Sequence, residues 1–262
     1  MPAWLLITLA AAGLSLLFAA TYVFAKRVDN YGVVDVVWSY AFGVIALFYA
    51  AAATGAWLPR RLLIATLAVV WSVRLGTHLG LRVASHHPEE DGRYKEMRTR
   101  WSANFPAKMF IFFQQQAFSV LVLALPFFLI TRNPVAQFHP LEYAGAVLWL
   151  IAIVGEATAD AQLAAFKKNP ANKGRVCDVG LWSVSRHPNY FFEWSIWVSY
   201  FVFACASPWG WTSLICPAAI LYLLLRVTGI PMTEEQSLRS RGDAYRDYQR
   251  RVSPFIPWFP KA

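Results

Sequence analysis

The sequence predicts an all-α, polytopic membrane protein of seven transmembrane helices, with its N-terminus outside and its C-terminus in the cytoplasm. Three observations carry that prediction. Hydrophobic residues make up 57% of the 262-residue chain and charged residues only 15%, a balance that soluble proteins rarely reach. Several windows of about twenty residues hold few or no charges, which is the length a helix needs to cross the apolar interior of a bilayer. The basic residues between those windows fall mostly on one side, and such a bias places that side in the cytoplasm. The net charge of +9 is thereby explained by topology and needs no nucleic-acid partner.

The seven apolar stretches run roughly over 3–25, 33–54, 61–83, 109–130, 141–166, 188–206 and 209–230. The first, MPAWLLITLAAAGLSLLFAATYVFA, is too long for a signal-peptide core and has no basic residues before it, so it is expected to be a retained span. On the cytoplasmic side lie Lys26 and Arg27, then Arg93, Lys95, Arg98, Arg100 and Lys108, then Lys167, Lys168, Lys173, Arg175 and Arg186, then the Arg-rich tail. Only Arg60, Arg61 and Arg132 stand on the opposite side. The polar stretches left over are too short for a soluble domain. The chain therefore reads as one transmembrane domain over residues 1–262.

Span two carries Asp35, Trp38 and Ser39 on one helical face, and span three carries Arg74 and His78 on another. A carboxylate this deep in an apolar run faces a partner or a cavity. An Asp35–Arg74 ion pair is one reading, and the lining of a pocket is the other. The following loop, HHPEEDGRYKEMRTRW, mixes both charge signs and reads as a solvated loop, with gating of a ligand as the alternative. Span four holds Gln114-Gln115-Gln116, polar enough to line a cavity or bond a neighbouring helix. In span five, Glu156, Asp160, Leu163 and Lys167 form one stripe down to the cytoplasmic border. Two carboxylates there exceed what a lone structural ion pair needs.

At Ser185-Arg186-His187-Pro188 a polar approach turns into an apolar run. Pro188 suits the first position of a helix, where its missing N–H costs nothing. The helix start beside Arg186 is then a natural place for a phosphate, with Asn189 and Glu193 sharing a face just inside. The alternative is that Arg186 and His187 are headgroup anchors. The tail, with Glu234, Glu235, Gly242, Tyr245 and Tyr248, reads as a compact amphipathic helix on the cytoplasmic face. Polar intramembrane residues thus gather in the second half of the chain, and Asp35 with Arg74 in the first. The second half would hold something polar and anionic from the cytoplasm, and the first something apolar from the bilayer.

GLWSVSRHPNYFFEW followed by EEQSL…RGDAYRDYQRRVSPFIP resembles the C-terminal region of the steroid 5-alpha-reductase family and of sterol reductases. NYGVVDVVWS, WSVRLGTHLGLR and EDGRYKEMR look like the bacterial steroid 5-alpha-reductase-like branch. Isoprenylcysteine carboxyl methyltransferases share the RHPxY element (Arg186, His187, Tyr190) and the EExxL…GxxYxxY…IP tail. The N-terminal pieces tip the balance toward the reductases. The resemblance implies a seven-helix enzyme of the 3-oxo-5-alpha-steroid 4-dehydrogenase type, using NADPH to reduce a carbon–carbon double bond conjugated to a ketone. NADPH would meet Glu156, Asp160, Lys167, Arg175, Asn189, Glu193 and Arg226, together with Arg186, His187, Tyr190, Glu234, Glu235, Tyr245 and Tyr248 of the shared motifs. Residues 1–130 would then be mainly the substrate side and 139–262 mainly the cofactor side. The family's substrate-side acid matches Asp35, with Trp38, Trp71, Arg74 and Gln115 as pocket residues. The tyrosine that partners the acid in the family is replaced by Trp71.

This assignment agrees with the chemistry of the residues. Hydride addition to the β-carbon of an enone builds charge on the carbonyl oxygen, and a positioned donor lowers that barrier. Asp35, protonated by burial, is the expected donor. The basic cytoplasmic loops suit a phosphate-bearing cofactor. No GxGxxG follows a strand, so a dinucleotide would bind in a helical pocket. A membrane methyltransferase using S-adenosylmethionine is the first alternative. A transporter or scaffold is the second, although no internal repeat supports it. Five scattered histidines do not suffice for a di-iron oxidase, and Cys177, Cys205 and Cys216 form neither a CxxC pair nor a zinc site. No metal is expected. The expected partners are a lipophilic small molecule and membrane lipids, with no nucleic acid and no obligate protein partner. The expected location is a bacterial inner membrane with the cofactor site facing the cytoplasm.

Overall fold

The computed structural model describes residues 1–261, and among them no strand occurs. Eleven α-helices follow in order: α1 (Ala3–Arg27), α2 (Val33–Ala52), α3 (Leu58–His86), α4 (Gly92–Arg100), α5 (Phe105–Leu123), α6 (Leu125–Thr131), α7 (Pro140–Lys168), α8 (Pro188–Ala204), α9 (Ile215–Tyr222), α10 (Ile230–Arg241) and α11 (Asp243–Arg251). Six helical stretches are long and apolar enough to cross a membrane: Ala3–Arg27, Val33–Ala52, Leu58–His86, Ser102–Thr131, Pro140–Lys168 and Gly210–Arg241. The seventh expected span corresponds to α8, whose 17 residues lie at the short end of spanning length. The chain divides into two compact units, Met1–Phe138 and His139–Ala262.

In the first unit, α2 packs along α3, and α1 packs against α5. With lipid outside, such helices gain little from burying apolar surface and associate through close packing and hydrogen bonds. Small residues serve that purpose here. The Ser72 hydroxyl donates to the Ser39 carbonyl at 2.6 Å and accepts from the Gly43 N–H at 3.0 Å. A Cβ on Gly43 would lie 2.9 Å from that same oxygen, so only glycine allows the approach. Between α5 and α1, the Ser15 hydroxyl donates to Gln114 Oε1 at 2.7 Å. Arg60, fully buried, donates to the carbonyls of Asn133, Val135 and Gln137 and so holds down the segment after α6.

The second unit is built on the α7–α8 pair. A Cβ on Gly145 would lie 2.8 Å from Phe203 Cβ, and one on Gly155 would collide with the Phe192 ring, so both glycines set how closely the pair packs. α7 starts in a capping box. His139 N donates to Glu142 Oε2 at 2.7 Å, and the His139 ring accepts from Leu141 N. α8 begins at Pro188, the position its fixed φ favours. After α9 the chain passes through a π-helical turn, Leu223–Val227, and Gly229 leads into α10. The tail is not one amphipathic helix but two, α10 and α11, because Gly242 at φ +54° reverses the chain between them.

Candidate functional site

Each unit carries its own polar cluster. In the first, Asp35 sits in the opening turn of α2 and accepts on both carboxylate oxygens. Arg93 Nη2 donates to Oδ2 and Tyr94 Oη donates to Oδ1, each at 2.8 Å. Both donors belong to α4. Asp91 caps that helix by accepting from Arg93 N at 3.0 Å, and it also accepts from Arg93 Nε at 3.1 Å. A second set of bonds fixes the same segment one turn away. Arg98 donates to Glu90 at 2.7 Å and to Asp29 at 2.8 Å, stands 4.8 Å from the Tyr31 ring centre, and Glu90 accepts from Tyr31 N at 2.6 Å.

This corrects two expectations. The polar loop is solvated only in part: most of its residues are exposed, but Tyr94 is 1% exposed and Glu90 8%, and these two dock α4. The charge partner of Asp35 is Arg93 and not Arg74, because α4 comes back over the start of α2. With Arg93 and Tyr94 donating to its two oxygens, Asp35 acts as a hydrogen-bond acceptor, where a donor was expected. A tyrosine does face Asp35: it is Tyr94 of α4 and not a residue of α3. Burial, then the charge of Asp35, push the Tyr94 hydroxyl well above its ordinary pKa, so it remains protonated.

Aromatic residues continue from this cluster. Trp38, one turn after Asp35, donates from Nε1 to Ser119 Oγ at 2.9 Å and packs edge-on against Phe42 at 4.7 Å. Phe42 in turn meets the fully buried Trp71 at 5.4 Å. Arg74 is half-buried on α3. Gln115 lies on the exposed side of α5, and it is Gln114 that bonds a neighbouring helix.

In the second unit, Asn189 Nδ2 reaches Asp160 Oδ1 at 3.3 Å, joining α7 to α8. Glu156 is buried on α7, and Glu193 accepts from Trp197 Nε1 at 3.0 Å. The RHPxY residues form a separate knot with the tail. Arg186 donates to Glu234 at 2.6 Å and to the carbonyls of Gln249 and Val252 at 3.0 and 2.6 Å. His187 Nε2 lies 3.3 Å from Glu234 and stacks on Tyr190, whose hydroxyl is 3.2 Å from Thr233. Gln249 donates to the other Glu234 oxygen at 2.9 Å. Tyr248 donates to the Trp182 carbonyl at 2.5 Å, and both Tyr245 and Tyr248 are buried. Burial raises both tyrosines, Tyr245 to about 12, so these hydroxyls too stay neutral. Glu235 is exposed and pairs with Arg239. Lys167, Arg175 and Arg226 are exposed, and nothing draws them into this knot.

The sequence reading missed Arg93, Tyr94, Thr233 and Gln249. The only signal for the first two was their place in EDGRYKEMR. Thr233 and Gln249 matter through long-range bonds that no spacing discloses.

The helical spans define a polytopic membrane protein. A family model described as a protein of unknown function, DUF1295, matches residues 21–252, and the chain belongs to that family. The probable O-methyltransferase ustE of Ustilaginoidea virens is 38% identical over 61 residues, which cover 23% of this chain and 21% of that protein. No solved structure matches the chain.

Proposed function

We propose that this protein is an NADPH-dependent membrane reductase of a carbon–carbon double bond conjugated to a ketone in a steroid-like or other lipophilic substrate. The observation that carries the reading is the Tyr94 hydroxyl at 2.8 Å from Asp35, with Arg93 on the other carboxylate oxygen. A neutral phenol held by a carboxylate is a hydrogen-bond donor already in place. Rotation about its Cζ–Oη bond turns it to a substrate carbonyl, where the enolate charge will develop. Asp35 orients the hydroxyl, and Arg93 pairs with Asp35 and adds positive charge nearby. Trp38, half-buried one turn after Asp35, offers an apolar ring beside this donor.

The side chains of the second unit suit a nicotinamide dinucleotide. Asp160, Glu193 and Asn189 offer acceptors and an amide for ribose hydroxyls and a carboxamide, and the exposed Lys167, Arg175 and Arg226 offer cations for phosphates. Arg186 and His187 serve the cofactor from behind, by holding the tail through Glu234. When bound, NADPH supplies the hydride; the protein supplies orientation and a dry, charged setting. The basic bias of the loops supports a cytoplasmic cofactor site in a bacterial inner membrane.

The partial similarity to a probable O-methyltransferase favours one second reading, methyl transfer from S-adenosylmethionine. The acids of α7 and α8 suit its amine and ribose equally well, whereas a cofactor without phosphates leaves the cations unused. Thermal unfolding of the detergent-solubilised protein separates the two. NADPH at a hundredfold excess over its dissociation constant should stabilise the fold by about 2.7 kcal/mol. A shift with S-adenosylmethionine and none with NADPH would assign the methyltransferase reading instead.

A further inference from the structure

The C-terminal tail forms a cleft that adjoins the Arg186 knot and extends beyond it. The last residues do not trail away from the fold. Trp258 N donates to the Val184 carbonyl at 2.9 Å, Ser185 Oγ donates to the Phe255 carbonyl at 2.8 Å, and Lys261 N donates to the Arg251 carbonyl at 2.9 Å. That return leaves a cleft of about 290 Å³ whose lining includes Arg186, Arg250, Arg251 and Lys261 and no acidic residue. Asp247 and Asp178 pair with Arg250 and Arg251 from outside the lining. Trp258 and Phe259 complete the rim, 69% and 81% exposed.

Phe255 holds the tail that forms this cleft against the start of α8. Its ring packs 5.7 Å from Phe191 and 5.8 Å from Trp194, in the first two turns of the apolar helix α8. The tail is therefore anchored where that helix enters the bilayer. Two large aromatics exposed at that level, beside four cations, match the layer where acyl chains meet headgroups. We propose that this cleft binds the phosphodiester headgroup of an anionic phospholipid, with Trp258 and Phe259 lying among the upper acyl chains.

The test is native mass spectrometry of the full-length protein in detergent with equimolar phosphatidylglycerol and phosphatidylcholine. The wild type should retain phosphatidylglycerol preferentially. The triple substitution Arg250→Ala, Arg251→Ala and Lys261→Ala, all at exposed positions, should lower that preference by on the order of a hundredfold at low salt and less at high salt. Trp258→Ala with Phe259→Ala should weaken retention of both lipids while keeping the charge preference. An unchanged preference in the triple variant would overturn the proposal. So would full competition by glycerol phosphate at the same concentration, which would mark a soluble phosphate as the ligand. An undiminished NADPH-induced stabilisation in the triple variant is expected, since none of its three positions belongs to the cofactor cluster.

Discussion

In the proposed reduction, Tyr94 and Asp35 divide one task between two side chains. A carboxylate with an arginine on one oxygen does not donate, so the donor must be the phenol, and the carboxylate serves to aim it. Tyr94→Phe keeps the ring and its packing and removes only the hydroxyl. Turnover of a conjugated ketone should fall on the order of a hundredfold, the usual loss for one such donor, while stability changes by about 1 kcal/mol. Asp35→Asn keeps the shape but loses the charge that faces Arg93. It should cost about 1.5–3 kcal/mol, below the value for a fully buried pair because both side chains are a quarter or more exposed. If Tyr94→Phe turns over normally in a single-turnover measurement, the phenol is only a strut for α4.

At the scale of the helix, α8 depends on two devices. Its inner contact with α7 rests on glycine, so Gly145→Val should force the pair apart and cost about 1–3 kcal/mol. A thermal midpoint equal to wild type would show that the pair is looser than the close approach to Phe203 implies. Its entry rests on Arg186, which joins α8, α10 and the end of α11 in one network. Arg186→Ala leaves Glu234 and two carbonyls without that donor. A loss of about 3–5 kcal/mol is expected, together with faster proteolysis of the segment after Val252. Unchanged cleavage there would mean that the backbone bonds of the tail suffice without the guanidinium.

For the molecule as a whole, the basic bias predicts an orientation. Single cysteines placed at Arg98 and at Lys261 should react with an impermeant thiol reagent only from the cytoplasmic side, and one at Arg132 only from outside. The reverse pattern would overturn the predicted orientation and, with it, the proposed cytoplasmic cofactor site. Arg98→Cys also removes the bond to Glu90, so its labelling doubles as a probe of α4. Faster reaction than at Lys261 would report that α4 opens when that bond is lost.

Composition and period alone determined the class of fold: long apolar runs bounded by cations permit only helices in a bilayer, since the backbone must satisfy itself there. They also marked the start of α8 at Pro188 and the acids of α7, because a proline or a carboxylate in such a run has few places to be. The tertiary structure decided who pairs with whom. Asp35 finds Arg93 and Tyr94 from 58 and 59 residues away, and Arg186 finds Glu234, 48 residues on. A polar helix that docks by its side chains has the same composition as a solvated loop, so α4 could not be told from one by pattern. Periodicity reports which face of a helix a residue occupies; only the packed chain reports what that face meets.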